Sequence, residues 1–264
     1  MRVKSYENVI PKILREKISF RYRTITKALN KEFWENESET SNTRYVGSYG
    51  RNTAISTSDI DILAELPIGI FDDYNRITGN DQSRLLQTVR KAIKSTYPNS
   101  NVRADGQVVK INFSDGIQFE ILPAFRNSNG TFIYPDSNMG GNWKSTNPIA
   151  EQTAIRDRNQ ESNNLLVSTC RHMRYIRDNF FKSYHLSGIV IDSFVYDAIG
   201  GWYFTENTST SEPGTYERNL LSYYKKNKRV WTFIPLKAPG SQDEVPIENS
   251  MECLEKVINY MTNN

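Results

Sequence analysis

Two aspartates separated by one isoleucine, Asp59-Ile60-Asp61, stand at the head of the run DIDILAEL. In a β-strand, positions i and i+2 share a face, so both carboxylates project together while Ile60 and Ile62 turn toward a core. Without a cation two such groups repel, and a divalent ion between them removes the penalty. A third acid, Glu120, interrupts the otherwise apolar run IQFEILPAF, and a charge placed there needs a partner. Three hard oxygen donors suit Mg²⁺, with Mn²⁺ also accommodated, rather than zinc. Upstream lies Gly47-Ser48. Glycine lets the backbone approach a phosphate closely, and amides at the start of a helix together with the Ser48 hydroxyl suit the β and γ phosphates of a nucleoside triphosphate. Combined, the two groups describe a two-metal transfer. One ion lowers the pKa of an attacking hydroxyl and the other neutralises the leaving pyrophosphate, with in-line displacement at the α-phosphorus.

The elements that must hold these residues can be read from periodicity. Ile10, Leu14, Ile18, Tyr22, Ile25, Leu29 and Phe33 recur at helical intervals and predict one long N-terminal helix, expected to bridge two lobes. TRYVG reads as a short strand entering the Gly-Ser turn. A polar loop is expected from Asp72 to Gln82, then a helix over LLQTVRKAIKSTY ended by Pro98. NVRADG, QVVKINF and IQFEILPAF read as strands joined by turns at Asp105-Gly106 and Asp115-Gly116. From about Asn142 onward strand signals vanish and helical runs follow: IAEQTAIRDRNQESNNLLVSTCRHMRYIRDNF, LSGIVIDSFVYDAIG, TYERNLLSYYKKN and SMECLEKVINYMT. This predicts an α+β chain with a catalytic lobe over residues 1–140 and a helical lobe over 141–264.

Composition narrows the class. The 264 residues include only two cysteines and two histidines, so a disulfide scaffold, a four-ligand zinc site and a His-rich metal site are all disfavoured. Carboxylates must carry any metal chemistry. No stretch reaches the roughly 18 apolar residues of a membrane span, and a cytoplasmic location is expected. The net charge of +3 is small, but it is unevenly placed. Between positions 11 and 31 the N-terminal helix carries seven basic residues against one acid, Glu16. Lys12, Arg23, Lys27 and Lys31 are candidates for the phosphates of an activating RNA or DNA, the alternative being a solvated face. YYKKNKRVW, with Lys225, Lys226, Lys228 and Arg229, is a second basic patch beside aromatic residues.

The segment GSYGRNTAISTSDIDILAELP resembles the signature of bacterial CD-NTases, the cyclic-oligonucleotide synthases of anti-phage (CBASS) systems, related to cyclic GMP-AMP synthase and oligoadenylate synthetase. FEILPAF is similar to that family's strand with a third acid. NWKSTNP, RHMRYIRDN and LSGIVIDSFVYDAI resemble segments of its helical lobe. The resemblance implies a polymerase-β-like nucleotidyltransferase fold, Mg²⁺ as cofactor, ATP or GTP as substrates and a cyclic di- or trinucleotide product read by a separate effector. It assigns Asp59, Asp61 and Glu120 to the metals and to catalysis, and Gly47 and Ser48 to the triphosphate. Arg174 stands where lysine is common and Ser187 where a second phosphate-contacting serine is found. Glu120 replaces the usual aspartate and could ligate metal or act as base toward the acceptor hydroxyl. Two alternatives remain beside phosphate binding: Arg174 as part of a solvated helix face, and Ser187 as a helix N-cap. Two other functions remain open: transfer of AMP or nucleotides to a protein, small molecule or RNA end, and a non-catalytic nucleic-acid-binding module.

Overall fold

The computed structural model describes all residues except 1, 4–8, 76–78, 206, 207, 210, 211, 213 and 264. The chain divides into two compact units, a sheet unit of Ile10–Gly50 with Asp59–Asn147, and a helical unit of Met1–Val9, Arg51–Ser58 and Pro148–Asn264.

In the sheet unit α1 (Lys12–Phe33) is followed by β1 (Thr43–Tyr45), the short α2 (Gly47–Gly50), β2 (Ile60–Leu66), α3 (Phe71–Asn75) and α4 (Asp81–Thr96). Five strands complete it: β3 (Asn101–Asp105), β4 (Val108–Asn112), β5 (Gln118–Arg126), β6 (Phe132–Asp136) and β7 (Asn142–Thr146). The order is β1-β2-β5-β4-β3, with β6 pairing the far end of β5 and β7 pairing β6. Among the described residues of this sheet only β2 and β5 run parallel. Alternation decides which face is covered. Ile60, Ile62, Ala64, Val109, Ile111, Phe119 and Ile121 pack with Ile18, Ile25 and Leu29 of α1 and Leu86, Val89 and Ile93 of α4. The intervening residues, Asp61, Lys110 and Glu120, therefore lie on the opposite face.

The expected helix over LLQTVRKAIKSTY is present, started by Asn80, whose side chain accepts from the Ser83 amide at 2.9 Å. Both expected hairpin turns join antiparallel strands. Three expectations change. Part of the anticipated Asp72–Gln82 loop is helical, in α3 and the start of α4, and residues 76–78 lie outside the described residues. Strands continue past Asn142: β7 is polar and carries no β-branched alternation, yet its backbone pairs with β6, so the units part at Asn147–Pro148 rather than 140/141. The third change is in the helical unit.

That unit contains α5 (Pro148–Glu161), α6 (Leu165–Phe180), α7 (Gly188–Ala198), α8 (Thr215–Asn227) and α9 (Met251–Asn263). The continuous run expected over α5 and α6 is broken at Asn163 and Asn164, with φ of 48° and 71°, a left-handed conformation that asparagine tolerates. Leu166, Met173, Val190, Phe194, Leu220, Leu254 and Ile258 belong to its core. Among the described residues no helix is long and apolar enough to cross a membrane.

Asp115, in the β4–β5 turn, fastens α1 to the sheet. It accepts two hydrogen bonds from Arg21 at 2.8 and 2.9 Å and a longer one from Lys17 at 3.4 Å. The Arg21 bond holds the Asp115 carboxyl well below the usual carboxylate range. A depressed folded-state pKa means that the stabilisation is present above the ordinary aspartate value of about 3.9 and is lost as pH falls through the depressed value. Asp115→Asn should lower Tm by roughly 2–4 °C at pH 7. The gap to wild type should close as the pH is taken below about 4. A gap that stays constant from pH 7 to pH 2 would show that this carboxylate does not fasten the helix electrostatically.

Candidate active site

The parallel register sets Asp61 of β2 directly beside Glu120 of β5, and the antiparallel register sets Glu120 beside Lys110 of β4 and Lys110 beside Arg103 of β3. Four adjacent strands thus carry a row of two acids followed by two bases on the face away from α1 and α4. Adjacent carboxylates on paired strands destabilise a sheet unless something offsets them. On the Glu120 side the offset is Lys110, whose Nζ lies 3.0 Å from Glu120 Oε1 and 3.0 Å from Asp105 Oδ2. Its hydrogen bonds to Asp105 and Glu120 raise the Lys110 pKa and, in turn, lower that of Asp105.

On the Asp61 side lies Gly47, with φ +56°, a conformation that glycine reaches without strain. A Cβ built on Gly47 would overlap the Asp61 carboxylate. Gly47 is therefore required twice, for its backbone and for the space that Asp61 occupies. The Val46 amide donates to the Asp61 carbonyl at 2.9 Å, which ties the turn to β2 at the same level. The turn is also braced by aromatic packing: Tyr49 lies against Tyr45, which stacks on Tyr22 of α1 at 4.3 Å. Burial pushes the Tyr49 hydroxyl up to about 12, so it stays protonated at neutral pH. Ser48 is half-buried in α2, which spans only four residues. The anticipated helix terminus is thus a single turn. It offers individual amides rather than a helix macrodipole, which needs several aligned peptide units.

Asp59 immediately precedes β2 and is exposed, whereas Asp61 is half-buried. The pair fits a hard divalent ion, because both are carboxylates and Asp61 is seated against a glycine whose missing side chain leaves it room. The third expected ligand does not join them. Among the described residues no three His, Cys, Asp or Glu side chains are gathered so as to hold a metal ion, and Glu120 is engaged by Lys110 instead. Sequence reasoning did not single out Lys110. Its signal was a lone ammonium between Val109 and Ile111, one hairpin away from Glu120.

The helical unit corrects one residue and gives another a structural role. Arg174 was expected at a triphosphate, yet it is only 1% exposed. Its Nη1 donates to Asp192 Oδ1 at 2.6 Å and its Nη2 to Asp192 Oδ2 at 2.9 Å and the Gly188 carbonyl at 3.0 Å. The same Asp192 accepts from Arg51 Nε and the Thr53 hydroxyl, both at 2.9 Å, and Arg51 Nη1 reaches Glu151 at 2.7 Å. Burial alone would push the Asp192 carboxyl up, but Arg174 and Arg51 more than reverse it and hold it at about 2. The Arg174 guanidinium is thus committed to an interior ion cluster. Asp192 escaped notice even though it is a charge inside the apolar run GIVIDSFV, the same signal that singled out Glu120. Ser187 caps α7, accepting from the Val190 amide at 3.4 Å, which realises its capping alternative.

The basic face of α1 is partly neutralised. Lys12 lies 3.9 Å from Glu16, Lys27 lies 3.0 Å from Glu37, and Lys17 and Arg21 share Asp115. Arg15, Arg23 and Lys31 have no acidic side chain within ion-pair distance among the described residues. In the second patch Lys228 pairs with Glu255 at 3.3 Å.

Two substitutions test this description. Gly47→Ala adds about 1–2 kcal/mol of backbone strain and displaces Asp61, so nucleotide transfer should fall at least about tenfold while the melting temperature drops only a few degrees. Full activity would mean that the Asp61 position is not used. Arg174→Met leaves part of the buried Asp192 charge uncompensated and should cost about 3–5 kcal/mol, read as a lower urea midpoint. An unchanged midpoint with a raised KM for nucleotide would instead put Arg174 on the triphosphate.

Comparison with curated protein sequences finds no match. Solved structures share the fold at low identity. A cyclic dinucleotide synthase of the CdnE type from Elizabethkingia meningoseptica, with GTP and Apcpp, is 15% identical with a TM-score of 0.63, covering 91% of this chain and 89% of its own. The CD-NTase CdnG of Bradyrhizobium diazoefficiens, in complex with GTP, is 12% identical with a TM-score of 0.67 over 96% and 87% of the two chains. DncV, a cyclic AMP-GMP synthase of Vibrio cholerae, is 14% identical with a TM-score of 0.59 over 94% and 82%. The family model for the Second Messenger Oligonucleotide or Dinucleotide Synthetase (SMODS) domain matches residues 6–159, more than half of the chain and all of the acidic row and Gly-Ser turn. With that match over more than half of its length, the chain belongs to the SMODS family, and it shares the polymerase-β-like fold of the CD-NTases.

Proposed function

We propose that this chain is a Mg²⁺-dependent synthase that joins nucleoside triphosphates, ATP or GTP, into a cyclic di- or trinucleotide serving as a second messenger in anti-phage signalling. The observation that carries the proposal is the seating of Asp61 against Gly47, one strand from Glu120 and two residues from Asp59, inside the segment the family match covers. Asp59 and Asp61 would hold the ions, which, when bound, supply charge for the triphosphate and lower the pKa of the attacking hydroxyl. Gly47 keeps the backbone thin where a phosphate must come close. Ser48 donates its hydroxyl to a phosphate oxygen. Glu120, once released from Lys110, serves as the third ligand or accepts the proton of the attacking hydroxyl. A separate effector binds the product, and the protein itself works in the cytoplasm without a membrane partner.

Activation by RNA or DNA is the extension that the ion pairs constrain most. It would rest on Arg23 and Lys31, with Arg15, because Lys12 and Lys27, also expected at the phosphates, face acids. For every basic residue that holds a phosphate, charge reversal should reduce the logarithmic salt slope of binding by about 1.

The decisive assay incubates the protein with labelled NTPs and Mg²⁺, with and without added RNA, and resolves phosphatase-resistant products. Cyclic products without an acceptor support the proposal. Label on RNA, protein or a small molecule would favour a transferase of another purpose, and nucleic-acid binding without any product would favour a non-catalytic module. Asp61→Asn or Asp59→Asn should reduce product formation by roughly 10²–10⁴ with the fold intact. Ser48→Ala should weaken donor-nucleotide use by about 1–3 kcal/mol, chiefly through KM.

A further inference from the structure

The third acid of the row already has a cation. Lys110 stands beside Glu120 in the register, touches its Oε1, and at the same distance touches Asp105, so one ammonium is shared by two carboxylates on opposite sides. The Lys110 and Glu120 side chains are each a little over a quarter exposed and Asp105 is about half exposed, so water can replace either partner. An ammonium has three donors on a flexible stem and is satisfied by either acid, whereas a guanidinium fork would be held by one planar geometry.

We propose that Lys110 is an internal counter-ion for Glu120: it holds this carboxylate away from Asp61 when no divalent ion is present, and it retreats to Asp105 when one binds. The inference rests on reading Asp59 and Asp61 as the metal site. Lys110 makes the sheet tolerate two carboxylates on paired strands. It also competes with the metal for the third ligand, so a bound ion must displace the ammonium from Glu120. Asp105 makes the exchange reversible by giving Lys110 an alternative partner.

Mn²⁺ titration of the nucleotide-free protein by electron paramagnetic resonance tests this without any turnover, with melting curves to establish that each variant folds. Lys110→Met should bind Mn²⁺ about 2–5-fold more tightly than wild type, the size expected for a partly exposed ion pair. Asp105→Asn, which leaves Lys110 with Glu120 alone, should bind it a few-fold more weakly. In a Glu120→Gln background, Lys110→Met should change Mn²⁺ affinity no further, because the competed ligand is gone. Unchanged or weaker binding in Lys110→Met, or a gain that persists in the Glu120→Gln background, would overturn the proposal, the latter by exposing a long-range charge effect. Wild-type Mn²⁺ binding that survives Asp61→Asn would instead remove the metal-site reading on which it rests.

Discussion

Parallel pairing of β2 with β5 puts Asp61 and Glu120 side by side on one face of the sheet, and much of the sheet unit is explained by what that juxtaposition requires. Two carboxylates one strand apart repel, so each is given a different accommodation. Asp61 lies against a glycine turn that leaves it room, and Glu120 is held by Lys110, itself anchored to Asp105. The opposite face is apolar and covered by α1 and α4, which turns Asp61, Lys110 and Glu120 onto the other side. The burial of Ile60, Ile62, Ile111 and Phe119 is thus what orients the chemistry.

The helical unit handles charge in the opposite way. Asp192 and Arg174 are almost wholly removed from water, and Arg51 and Glu151 are nearly so. In that setting hydrogen-bond geometry must be complete, and Asp192 receives donors on both oxygens from Arg174, Arg51 and Thr53. Clusters of this kind give less net stability than their short distances suggest, but breaking one partner is costly. Arg51 and Thr53 come from the short stretch between the Gly-Ser turn and the aspartate pair, which belongs to the helical unit while its two neighbours belong to the sheet unit. Arg51 and Thr53 of this stretch are therefore held by an interior ion network.

Charge on α1 follows a third pattern. The density that stands out in the sequence is reduced by Glu16, Glu37 and Asp115, of which the last two come from outside the helix. Counting bases along one element overstates its field, since counter-charges arrive from residues distant in the chain.

What the sequence determined by itself was local: the helical and strand periods, the two Asp-Gly hairpins, the Gly-Ser turn and the acids that interrupt apolar runs. These depend on side-chain alternation and turn chemistry within a few residues, which is why Asp59, Asp61 and Glu120 could be named before any fold was known. Only the tertiary structure decided which partners those charges meet. The β4–β5 register supplied Lys110 to Glu120, the β6–β7 pairing made a strand of the polar NWKST, and the packing of α6 against α7 turned Arg174 from a surface candidate into a buried partner of Asp192. Ion pairing is set by distance in space, and no spacing along a chain encodes which of several acids a base will reach.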